Sequence, residues 1–126
     1  MSKAEVKYLG EPEEVREFPR GRVEIIRVGD SVVGRAFLQP GWRWSDCVRP
    51  IAKTKSCQAS HMHYQITGVL RVRMDDGTEF DIKPGEVANI PPGHDAWVVG
   101  NETVVAVDFQ GMSDYARQAK PELKAA

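Results

Sequence analysis

The sequence predicts an all-β fold, and three observations carry that expectation. Short segments rich in Val, Ile, Phe and Trp recur along the chain; the 11 glycines and 8 prolines are spread between them rather than gathered in a linker. The breaks carry turn chemistry: Gly29-Asp30, Pro40-Gly41, Asp75-Asp76-Gly77, Pro84-Gly85, Pro91-Pro92-Gly93 and Gly100-Asn101. At 126 residues with 41% hydrophobic content, the chain has apolar material for one closed core, so residues 1–126 are read as a single domain.

Taken in order, strands are expected at 23–28, 31–39, 42–48, 61–67, 69–74, 78–82, 87–90, 96–99 and 103–109. The clearest hairpin lies at Asp76-Gly77, where a tight turn needs a positive φ that glycine adopts at least cost. In the following pattern Val69, Arg71 and Arg73 alternate with Leu70, Val72 and Met74, so one face packs and the other is wet. The polar stretch 48–60 lacks periodicity and reads as a loop at a barrel mouth, where binding groups often sit. Residues 113–120 form the one helical candidate, with Ser113 as N-cap and Pro121 as stop. The charged runs at 11–17 and 53–55 read as solvated surface.

Charge excludes several function classes. Lys plus Arg total 17 against 18 Asp plus Glu, a net charge of -1, which disfavours a general electrostatic grip on nucleic acid or anionic lipid. No apolar run approaches the roughly 20 residues of a membrane helix, and MSKAEVKYLG contains no apolar signal core; a cytoplasmic protein is expected. Cys47 and Cys57 form no CxxC pair and are expected as reduced thiols.

The segment PGEVANIPPGHDAWVVGN, residues 84–101, resembles the second motif of the cupins, a glycine followed at fixed spacing by Pro-x-Gly, here Gly85 and Pro91-Pro92-Gly93. Tyr64-Gln65-Ile66-Thr67-Gly68-Val69-Leu70 resembles the strand that closes the first motif, and Asp76-Gly77 with Pro84-Gly85 resembles the joining segment. The resemblance covers roughly residues 40–109 and implies a cupin-type double-stranded β-helix, a jelly-roll barrel, with a short C-terminal helix. A double-sheet jelly roll suits a chain of many short strands, since it buries one face of each and limits open edges.

The usual cupin metal ligands do not carry over. The first-motif positions counted from Gly41 hold Cys47 and Arg49, His61 stands where the glutamate is expected, and Ala96 stands at the second-motif histidine position. All three histidines nevertheless fall in the presumed site: His61, His63 and His94. Residues two apart on a strand share a face, so His61 and His63 are expected side by side as metal ligands, with His94 on the turn after Gly93 as a third. Cys47 is the candidate fourth donor. The bland alternative is that these histidines only hydrogen-bond within a polar interior, that His94 and Asp95 orient a turn, and that both cysteines simply pack.

Around the histidines, Trp44, Trp97, Gln58, Gln65 and Asp95 are the candidate ligand-pocket residues; Trp42 could line the same pocket, core packing is the alternative for each tryptophan, and Arg43 reads first as solvated or hydrogen-bonded surface. Two functions stay open. One is a cupin holding a divalent metal (zinc, iron, nickel or manganese) as Lewis acid or redox centre and acting on a small polar organic molecule; the catalytic residues and reaction are unassigned. The other is a metal-free ligand-binding or sensory cupin without catalytic activity. A homodimer is expected, formed when residues 23–28 and the N-terminal segment add to a neighbour's sheet edge.

Overall fold

Alternation between buried and exposed side chains decides which face of each strand turns inward. The computed structural model describes residues 3–113, 115 and 116. Its strands are β1 (Glu14–Phe18), β2 (Gly21–Val28), β3 (Ser31–Leu38), β4 (His61–Thr67), β5 (Val69–Met74), β6 (Glu79–Ile82), β7 (Val87–Ile90), β8 (His94–Val99) and β9 (Val104–Asp108). They pair antiparallel into a six-stranded sheet, β1-β2-β3-β9-β4-β7, and a three-stranded sheet, β6-β5-β8. Val23, Ile25, Leu38, Ile90 and Val104 of the first meet Leu70, Val72, Ile82, Ala96 and Val98 of the second in one core. The expected all-β architecture is therefore present.

The chain changes sheets at Gly68, between β4 and β5. Its φ is +72°, and a Cβ there would lie 2.9 Å from the Thr103 carbonyl oxygen, so both the backbone conformation and the space call for glycine. The register of β4 against β9 slips between Gln65 and Thr67, which bends the strand as it leaves the sheet. Asp76-Gly77 forms the expected turn, with Gly77 at φ +92° and Asp76 Oδ1 accepting the Thr78 N–H at 2.9 Å.

Four expectations need correction. Residues 42–48 are not a strand: α1 (Trp44–Cys47) and α2 (Arg49–Ala52) are single helical turns. The buried positions Trp44, Cys47 and Val48 follow helical spacing, Asp95 Oδ1 accepts the Ser45 N–H at 3.0 Å, and Lys53 ends α2 in a left-handed conformation. The charged run 11–17 supplies the first four residues of β1, and Arg16 within it is buried. β8 starts at His94, so this residue and Asp95 lie on a strand, not on a turn. Finally, β2 has β1 on one side and β3 on the other, so residues 23–28 present no free edge to a neighbouring chain. The helix expected at 113–120 lies largely outside the described residues.

Arg16 fastens the chain after β9. Its guanidinium donates to the carbonyls of Met112 at 3.0 Å, Ser113 at 3.0 Å and Tyr115 at 2.7 Å, and to Glu14 at 2.7 Å. That anchor holds Met112 and Tyr115 in the wall of the barrel cavity described next. Among the described residues, no helix is long and apolar enough to cross a membrane.

Candidate metal centre

Three strands and one loop bring the polar groups together. On β4 the inward positions are His61, His63 and Gln65; on β9 they are Val104, Ala106 and Asp108; β8 turns His94, Ala96 and Val98 inward. Cys57 arrives from the loop before β4 and is held against β8 by backbone bonding, with its N–H donating to the His94 carbonyl at 2.8 Å.

Cys57, His61 and His94 each place one ligating atom within 4.8 Å of the others, and all three are buried. Cys57 Sγ lies 3.7 Å from His61 Nε2, and the two imidazole centroids are 5.3 Å apart. A tetrahedral ion with ordinary Zn–S and Zn–N bonds needs its donors about 3.5 Å apart, so small side-chain adjustments fit one.

The far side of each imidazole is anchored. His61 Nδ1 donates to Asp108 Oδ2, and His94 Nδ1 donates to the Pro91 carbonyl at 2.8 Å, which leaves both Nε2 atoms for ligation. This is the outer-shell arrangement that orients ligating histidines. Asp108 is itself fixed: its Oδ1 accepts the N–H groups of Gln110 at 2.9 Å and Gly111 at 3.2 Å. A Cβ at Gly111 would sit 2.8 Å from His61 Nδ1, so this glycine permits the close approach.

Electrostatics agree with a soft, anionic donor set. Burial pushes the Cys57 thiol up, but hydrogen bonding to His61 and His94 outweighs it and brings the group down to about 6. Burial pushes His61 down, whereas Asp108 and Cys57 lift it to about 9. Asp108, which burial would raise, is held below the usual range by His61. For Cys57 and His61, each group's shift favours its charged form, because each is hydrogen-bonded to the other and His61 also to Asp108.

His63 does not join the cluster. Gln65 donates its amide to the carbonyls of Thr67 at 3.1 Å and Gly68 at 3.0 Å, which turns its Oε1 to accept from His63 Nε2 at 2.5 Å. Burial lowers the His63 pKa, consistent with a neutral ring. Cys47 is also outside the cluster: it packs in the core on α1, and Cys57 supplies the thiol instead.

The expected pocket residues divide between inside and outside. Trp44 lines both an inner cavity of about 50 Å³ and a mouth of about 470 Å³. Gln58 lines the mouth beside Cys57, and Gln65 is fully buried behind His63. Trp97 and Asp95 do not line either cavity. Since His94, Ala96 and Val98 point inward, the intervening positions point out; there Arg43 stacks over Trp97 at 4.1 Å and meets Asp95 at 3.6 Å. Cys57, Asp108, Met112 and Tyr115 were not anticipated as site residues. Asp108 could have been found, as the acid that ends an inward Val-x-Ala-x-Asp alternation; Cys57 could not, because its loop has no period.

The inner cavity is lined by His61, His63 and His94 from the first sheet and its partner, and by apolar residues including Trp42, Leu38 and Ile90. Among solved structures, the chain is similar to KdgF from Halomonas sp. (TM-score 0.57, 15% identity, covering 81% of this chain and 91% of that one). It is also similar to a cupin-like protein from Thermotoga maritima (TM-score 0.53, 17% identity, 76% and 72% covered). The chain has a cupin fold. A third cupin-fold similarity is to Lactobacillus farciminis oxalate decarboxylase in a formate complex (TM-score 0.56, 20% identity), where 78% of this chain covers 31% of the larger one. No family model and no curated protein matches the sequence. At these identities the cupin fold is what the likeness shows; the chemistry is argued from this chain's own residues.

Proposed function

We propose that this cupin-fold protein holds a divalent metal through Cys57, His61 and His94 and uses it on a small polar organic molecule that enters through the mouth. The observation that carries this reading is the double anchoring of His61 and His94 at Nδ1 around a shared thiol, all buried. A thiolate with two imidazoles favours zinc or iron over manganese, which prefers oxygen ligands. Three protein donors leave a coordination position for substrate, and a bound ion would supply Lewis acidity there. Asp108 keeps His61 in the ligating tautomer, while Trp44, Met112 and Tyr115 shield the site from bulk water.

Elemental analysis of protein purified without added metal, followed by zinc titration of chelator-treated protein, tests the reading. One equivalent of metal per chain is expected, with affinity falling 10–100-fold in Asp108→Asn, which keeps its shape but loses its charge toward His61. Less than a tenth of an equivalent, even with excess zinc or iron, would refute it.

A second reading is favoured by the line Cys57–His61–Asp108, in which a thiol, an imidazole and a carboxylate succeed one another as in a nucleophilic triad. In that case the barrel works without metal and Cys57 attacks an electrophile in the mouth. Rapid single-site alkylation of Cys57 by iodoacetamide that zinc does not slow would select it over the first.

A further inference from the structure

Among the described residues that line the inner cavity, one buried polar group is unfulfilled. Trp42 is 2% exposed and forms part of the cavity wall, yet its indole Nε1–H has no hydrogen-bond partner among the described residues. An indole N–H can only donate, and a buried donor left alone is costly, so an acceptor oxygen belongs beside it. The cavity, at about 50 Å³, has room for roughly four water-sized groups.

Charge narrows the ligand further, on the strength of the metal reading above. Among the described residues, no lysine or arginine lines the cavity, most of its wall is apolar, and the one acidic side chain in that wall is Asp108. A carboxylate entering this apolar space would lose its hydration without gaining a counter-charge. We infer that the inner cavity binds an uncharged carbonyl compound of about four non-hydrogen atoms, an amide, ketone or aldehyde group, whose oxygen accepts the Trp42 N–H.

Acetamide, acetone and acetate have the same size and differ in charge, so they serve as probes. Binding to zinc-loaded protein is followed by NMR titration, with metal content measured in parallel. Acetamide or acetone is expected to bind in the millimolar range and at least tenfold more tightly than acetate. Trp42→Phe keeps an aromatic ring and removes the donor; it is expected to weaken the neutral probes about tenfold while metal content and wild-type circular dichroism are maintained, with a lowered thermal midpoint because buried ring atoms are lost. Acetate binding as well as acetamide, equal affinities in Trp42→Phe, or no binding of a neutral probe at 100 mM would each overturn the assignment. Failure to load zinc sinks the metal reading by itself; Trp42-dependent acetamide binding in such protein would still uphold the cavity.

Discussion

Cys57→Ala and His94→Ala are each expected to weaken zinc binding roughly a hundredfold or more, beyond the 10–100-fold loss typical of an outer-shell partner. Each substitution removes one of only three protein donors, and the remaining two cannot hold an ion against water and buffer. His63→Gln is the decisive control. His63 lies two residues from His61 on the same inward face, but its Nε2 is committed to Gln65, which is itself tied to two backbone carbonyls. The variant should therefore retain stoichiometric metal. Competition titrations with a chromogenic chelator, run on variants with wild-type circular dichroism, check both statements; loss of metal in His63→Gln with retention in Cys57→Ala would reverse the ligand assignment.

Arg16→Met is expected to cost about 2–4 kcal/mol of stability, since it strips a charged donor from three carbonyls and a carboxylate at a buried position. It also frees the segment that places Met112 and Tyr115 over the cavity. The deficit should depend on pH. Hydrogen bonding to Arg16 and Arg27 brings Glu14 down to about 2. A depressed carboxylate contributes its stability above the ordinary value of 4.5 and loses it as pH falls toward 2. The gap between wild type and Arg16→Met should then be full near neutrality and narrow on acidification from about 4.5. Urea unfolding at pH 7, 4 and 3 measures it; a gap that widens in acid would show that Glu14 is not the partner that matters.

Two near misses show where local reading stops. Residues 94–99 were legible as a strand only from position 96, and starting it two residues late hid the fact that Asp95 and Trp97 share the outward parity. Had the strand been extended to His94, alternation alone would have placed them outside. The stretch 42–48 has aromatic and branched residues that favour a strand, yet the Asp95 carboxylate, fifty positions away, caps the helical turn that forms instead. Propensity yielded there to a tertiary hydrogen bond.

The barrel itself was determined by the sequence: period-two alternation, glycine and proline corners, and the spacing from Gly85 to Gly93 are local patterns that survive without knowledge of neighbours. So was the inward parity of His61 and His63, which follows from strand geometry. Which of these rings could meet a metal was decided only by tertiary structure. Cys57 reaches His94 through a bridge between loop and strand, Asp108 reaches His61 across the β4–β9 pairing, and Gln65 withdraws His63 by hydrogen-bonding it. Such contacts join residues distant in the chain, and their energies depend on burial and partner orientation, quantities that no run of neighbouring letters encodes.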